Sequence, residues 1–200
     1  MKLLAFVDLH ALFKAFKRLK EKIKKQKPDI IVCAGDLSIF EQGLEHLLKS
    51  FDKFKVPFLV IHGNHETQAT LKKISSKLKN IIFIHKKSYI SGNCLFLGYG
   101  GGGFSQTEPN FKKISGKFRK IIKKNIDKKI ILVTHAPPYK TKLDKINRYY
   151  LGNKTIGQFV RKNKIDLLVC GHLHENFGKE DRIKKTKIIN PGPYGKIIRV

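Results

Sequence analysis

The chain has 200 residues, 41% of them apolar, enough to bury the core of one domain taken to span residues 1–200. No run approaches the roughly 20 apolar residues of a membrane helix, and MKLLAFVDLH carries an Asp too early for a signal peptide, so a soluble, cytoplasmic protein without a membrane partner is expected. The 42 basic residues against 15 acidic ones give a formal charge of +27, which admits nucleic acid as a partner; yet only six are Arg, and runs such as KRLKEKIKKQK suit the polar side of a helix, so a Lys-rich composition is sufficient explanation.

In chain order, LLAFV at 3–7 is an apolar strand that ends on Asp8-Leu9-His10, and Leu12, Phe16, Leu19 and Ile23 follow at helical period. IIVCA at 30–34 ends on Gly35-Asp36, before a second stripe of Leu44, Leu47, Leu48 and Phe51. FLVI at 58–61 ends on His62-Gly63-Asn64-His65-Glu66, and Leu71, Ile74 and Leu78 form a third stripe. IIFI at 81–84 and CLFL at 94–97 have no helical period between them and read as consecutive short strands. Ile114, Phe118, Ile121 and Asn125 mark a fourth helix, after which IILV at 130–133 ends on Thr134-His135. Ile156, Phe159 and Val160 mark a fifth, LLVC at 167–170 ends on Gly171-His172-Leu173-His174, and the tail after Cys170, with II at 188–189, again reads as consecutive short strands. Alternating strands and helices imply βαβ units and an α/β layered fold, and the strand-only stretches make the sheet mixed.

Five strand ends thus deliver Asp, Asn or His, and in open α/β sheets the carboxyl ends of strands are where ligands bind. The i, i+2 spacing of Asp8 with His10 and of His172 with His174 would point both members of each pair the same way on an extended chain. Gly35, Gly63 and Gly171 precede ligand candidates, where the backbone must turn sharply and come close to an ion. Oxygen and imidazole donors suit Mn²⁺, Fe or Zn²⁺. Cys33, Cys94 and Cys170 are odd in number and without CxxC spacing, which argues against a disulfide framework and a zinc ribbon; reduced thiols are expected, those of Cys33 and Cys170 as small buried hydrophobes.

The ordered set DxH, GD, GNHE, H and GHxH, from residue 8 to 174, resembles the calcineurin-like metallophosphoesterases. GYGGGG at 98–103, THAPPYKTKLD at 134–144 and INPGPYGK at 189–196 are similar to the Icc-related predicted phosphoesterases of archaea and bacteria. The resemblance implies a four-layer α/β/β/α sandwich with mixed sheets and metals at the C-terminal strand ends. It places one divalent ion on Asp8, His10 and His174, the other on Asn64, His135 and His172, and Asp36 between them as a bridge. Manganese is the foremost choice, with iron, zinc, nickel or magnesium as alternatives. His65 would contact the phosphate together with Asn64 and donate a proton to the leaving oxygen. Two such ions hold a bridging hydroxide that attacks a phosphomonoester or phosphodiester. The competing readings are a nuclease, for which no capping domain is present, and a catalytically weak metal-dependent scaffold, against which the intact GNHE argues. Ala11 stands where the family usually has Gly.

The loop Gly98–Phe104 reads as a lid, a phosphate cradle of backbone N–H groups at Gly101 and Gly102, or a flexible turn. Residues 98–110 carry no Lys, a hint that they face the site. His46 and His85 read as surface histidines, and His62 stands beside the motif without a ligand role. Tyr139, Arg148, Tyr149 and Tyr150 are plausible substrate contacts. Asn190-Pro191-Gly192-Pro193 is expected to turn the chain from one strand into the last.

Overall fold

The computed structural model describes residues 1–200. The first half of the chain forms β1 (Lys2–Phe6), α1 (Phe13–Gln26), β2 (Ile30–Cys33), α2 (Leu44–Asp52), β3 (Phe58–Val60), α3 (Gln68–Ser75) and β4 (Ile81–Phe83). It continues through β5 (Lys87–Ser91), β6 (Cys94–Tyr99), α4 (Pro109–Lys124), β7 (Lys129–Thr134), β8 (Lys145–Ile146) and β9 (Tyr149–Tyr150). The last elements are α5 (Lys154–Lys162), β10 (Leu167–Val169), β11 (Glu180–Ile183), β12 (Thr186–Ile189) and β13 (Lys196–Arg199).

The strands make two sheets. One runs β13-β1-β2-β3-β4, parallel except for β13; the other runs β11-β12-β10-β7-β6-β5, parallel except for β11 and β5 at its edges. Alternation along β1 explains its unbroken apolar run. Leu3 and Ala5 enter a core between the sheets with Val32, Phe96, Ile131 and Val169, whereas Leu4 and Phe6 pack with Phe16, Leu19 and Phe51 of the helices on the other side. The second sheet repeats this: Leu97 and Leu132 turn outward to Phe111, Phe118 and Phe159 of α4 and α5. The result is the α/β/β/α sandwich that the resemblance implies, with mixed sheets.

Three details differ from the apolar pattern. The strands of 81–97 do not share one sheet, since β4 closes the first and β5 opens the second, and burial on both faces looks alike in either. In α4 the buried stripe is Phe111, Ser115, Phe118 and Ile122; Ile114 and Ile121 flank it, and Asn125 lies past the end, its side-chain amide donating to the Ile121 carbonyl at 2.9 Å. The two-residue strands of the β8–β9 hairpin are too short to carry a strand signal. The turn at 190–193 does lead from β12 into β13. No helix is long and apolar enough to cross a membrane.

Because β1, β2, β3, β7 and β10 point the same way within their sheets, their five polar strand ends collect along one rim of the sandwich.

Candidate metal centre

Beyond β1 the chain does not stay extended. Asp8, His10 and Ala11 have φ of 53°, 46° and 54°, Asp36 of 53° and His172 of 72°. The i, i+2 pairs therefore converge through left-handed kinks and not through strand alternation, and His174 opens a single 3-10 turn. Each such non-glycine residue costs about 1–3 kcal/mol and persists only where its surroundings impose it. Here the first two loops lie side by side: the Asp8 N–H donates to the Gly35 carbonyl (3.1 Å), His10 to Asp36 (3.0 Å) and Ala11 to Leu37 (2.9 Å). The glycines permit the close approach expected of them. A Cβ on Gly63 would lie 1.9 Å from Asp36 Oδ1, and one on Gly171 2.2 Å from Val7 Cγ2 and 2.7 Å from Asp8 Oδ2.

All seven candidate ligands come together. His10 Nε2 lies 3.2 Å from His174 Nε2, and His174 Nε2 is 4.0 Å from Asp8 Oδ1. On the other side, Asn64 Oδ1 lies 3.0 Å from both His135 Nε2 and His172 Nδ1. Asp36 sits between the groups, its Oδ2 3.7 Å from His10 Nε2 and 3.4 Å from His135 Nε2. The His65 N–H donates to Asp36 Oδ1 at 3.0 Å, and the His65 ring packs edge-on against His10 at 4.7 Å.

The protonation states of this cluster fit a cation site. Asp8 Oδ1 is buried with no hydrogen-bond partner, a costly state for a carboxylate that nothing else neutralises. Burial pushes Asp8 up to about 7, with Asp36 adding to the effect against the pull of His135. Burial would also raise Asp36, but the hydrogen bond and charge of His135 hold it down to about 2. His135 Nδ1 faces the Ala34 carbonyl at 3.0 Å while Nε2 faces two acceptors, so both nitrogens carry protons. Burial would lower His135, yet Asp36 lifts it to about 9. A divalent cation held by His135 would take the place of that proton, and one held by Asp8, His10 and His174 would satisfy Asp8 Oδ1. Two carboxylates, four imidazoles and one amide oxygen are a donor set for such ions.

The GNHE string assigns no role to Glu66, and the structure gives it one. Its buried carboxylate accepts from the N–H groups of Asp36 (3.1 Å), Ser38 (2.9 Å) and Gly63 (3.2 Å) and from the Ser38 hydroxyl (3.1 Å), tying the loops after β2 and β3 together. His85 is not a surface residue as its Lys neighbours suggest. It is buried against His62 at 4.5 Å and Tyr99 at 5.1 Å, and its Nδ1 accepts from the Gly100 N–H at 2.8 Å. His46 is exposed, as expected. Cys33 and Cys170 are fully buried free thiols.

The glycine loop is fastened at its start. The Gly101 N–H donates to the His62 carbonyl at 2.8 Å and so is already committed, and a Cβ on Gly102 would sit 3.3 Å from a Glu108 carboxylate oxygen. Further on the loop meets the centre: a Cβ on Gly103 would strike the His172 ring at 2.5 Å, and Phe104 lies edge-on to that ring at 5.1 Å. Tyr139 and Tyr150 pack against each other at 6.0 Å, and Arg148 lies over the Tyr149 ring at 5.3 Å.

The sequence profile of the calcineurin-like phosphoesterases matches residues 1–176, and the chain belongs to that family of metal-dependent phosphoester hydrolases. It is 30% identical to the uncharacterized protein MJ1162 of Methanocaldococcus jannaschii, over 96% of this chain and 88% of that protein. It is 26% identical to the Probable glycerophosphodiester phosphodiesterase GpdQ of Arcobacter nitrofigilis, covering 84% of this chain and 64% of that protein. Among solved structures, a dimetal phosphatase from Danio rerio has the same fold, with a TM-score of 0.70, 9% identity, and coverage of 95% of this chain and 86% of that one.

Proposed function

We propose that this chain hydrolyses small phosphate monoesters or diesters at a dinuclear centre. Asp8, His10 and His174 form one half, Asn64, His135 and His172 the other, and Asp36 is shared. The observation that carries the reading is Asp36 Oδ2, 3.7 Å from an imidazole of one group and 3.4 Å from an imidazole of the other. Two divalent cations, manganese foremost, would supply Lewis-acid charge for the phosphoryl oxygens and acidify a water as nucleophile.

The protein's own part is geometric and protonic. Glu66 and the His65 N–H hold the Asp36 loop and carboxylate in place. His65 Nδ1 is buried with no partner, beside His10 and Asp36, which leaves the ring free to give a proton to the leaving oxygen. The name of the Arcobacter relative supports a diester substrate.

The test is hydrolysis of mono-, di- and cyclic phosphate esters by manganese-reconstituted protein, alongside His65→Ala. The variant should lose at least about a hundredfold in turnover, the usual weight of general acid catalysis, and keep its metal. Loss of metal from His65→Ala would instead make His65 a ligand, which its place within 4.8 Å of donor atoms of His10 and Asp36 also allows. Full activity would remove it from the mechanism.

A further inference from the structure

Lysine and arginine make up 42 of 200 residues, yet most of the segments that build the rim hold none; the exception is the loop after β7, with Lys140, Lys142, Lys145 and Arg148. Residues 3–13, 28–48, 56–71, 88–111, 130–139, 165–178 and 188–195 contain neither. Among the other side chains these segments carry are Glu41, Glu108 and Glu175 and the exposed Leu12, Phe13, Ile39, Phe40 and Phe104. The basic charge lies on other parts of the chain, such as the outer side of α1. A chain of phosphates bound here would need cations to replace its counterions, and the segments 28–48 and 88–111 that carry Phe40 and Phe104 offer none.

Two rings stand out by position. Phe40 lies 4.7 Å from the His65 ring, and Phe104 lies 5.1 Å from the His172 ring. They therefore flank the centre, one beside the proposed proton donor and one beside the second ligand group. They are 73% and 84% exposed, so no part of this chain covers them. Phe40 also holds φ of 47°, a left-handed conformation that a bulky residue rarely adopts and that Gly or Asn would take more easily. A phenyl ring kept exposed, strained and against a catalytic imidazole points to a ligand that covers it.

We propose that Phe40 and Phe104 wall a subsite for the organic group of the substrate, and that this group is uncharged and aromatic. Resting on the phosphoesterase reading above, this makes the substrates phosphate esters of an aryl or arylmethyl type and not polyanions such as nucleic acid. The rings give stacking and edge contact, and the absence of Lys and Arg from the two segments that carry them leaves no partner there for added negative charge.

The experiment is calorimetric titration of the manganese-loaded full chain with two non-hydrolysable probes, benzylphosphonate and ethylphosphonate, in which CH₂ stands for the ester oxygen. The wild type should bind benzylphosphonate at least about tenfold tighter, the scale of one or two aromatic contacts. Phe40→Gly, which relieves the backbone strain as it removes the ring, and Phe104→Ser should each cut that ratio below about threefold. Ile126→Ala, an exposed apolar change on another loop, should leave it intact. Equal affinities in the wild type, or a ratio unchanged in both Phe variants, overturns the subsite. So does a sedimentation shift from dimer to monomer in the Phe variants with the ratio unchanged, which would assign the rings to self-association. The phosphoesterase reading fails separately: the preference for benzylphosphonate would stand while no phosphate ester was hydrolysed.

Discussion

Raising the pH of the metal-free protein from 7 to 9 is expected to cost about 2 kcal/mol of stability, because of His135. Burial alone would lower this imidazole, but Asp36 at 3.4 Å holds its charged form and lifts it from 6.5 to about 9. A base whose folded pKa lies above its unfolded one adds stability that is complete below pH 6.5 and disappears as the pH climbs through 9. The whole difference is worth about 3.4 kcal/mol at 1.36 kcal/mol per pH unit, and about 2 kcal/mol of it lies between pH 7 and 9. Asp8, raised by burial to about 7, acts in the same direction and has already exerted most of its effect by pH 7. His62, His85 and His172 are held down to about 4, 3 and 4, chiefly by burial. Their stabilising effect is lost only as pH falls below 6.5, outside the window. For a chain of this size, about 2 kcal/mol corresponds to a fall of about 4–8 °C in Tm. Scanning calorimetry of chelator-stripped protein at pH 7, 8 and 9 reads it directly, and Asp36→Asn should abolish most of the slope. A Tm that stays constant or rises over this range, or falls equally in Asp36→Asn, refutes the reasoning.

Gly63→Ala places a Cβ 1.9 Å from Asp36 Oδ1, so the carboxylate must leave its position between His10 and His135, and elemental analysis should find fewer than two metals per chain. Glu66→Gln turns an amide N–H₂ toward backbone donors that now meet a carboxylate, and urea unfolding should show a loss of about 2–4 kcal/mol. Ala11→Gly should act the other way: at φ of 54° it relieves about 1–2 kcal/mol of left-handed strain against about 0.4–1 kcal/mol of unfolded-state entropy, and Tm should rise by a few degrees.

Much of this molecule is legible in its sequence because each layer has a period. Burial on both faces makes the strands unbroken apolar runs, and the helices show one stripe each, so the layered α/β fold follows from pattern and the sandwich from the resemblance. The seven candidate ligands are legible for a related reason: polar residues directly after apolar strands have few structural uses. What pattern does not carry is conformation at single residues. Nothing in Asp8-Leu9-His10-Ala11 announces three left-handed residues, and the same letters would suit an extended segment. Local composition misleads at His85, where two adjacent lysines suggest solvent while the side chain turns inward to His62 and Gly100. Glu66 and Phe40 owe their places to contacts between loops some 25 residues apart in the chain, as in the 28-residue separation of Glu66 from Ser38, which no periodicity records.

The two ligand groups and the carboxylate between them can be tested together by metal stoichiometry. Elemental analysis of manganese-reconstituted wild type and Asp36→Asn, each assayed for phosphoester hydrolysis, should find two ions per chain in the active wild type and loss of both ions and activity in the variant. Two ions retained in Asp36→Asn, or full wild-type activity with a single ion bound, would contradict a centre built from two halves that share Asp36.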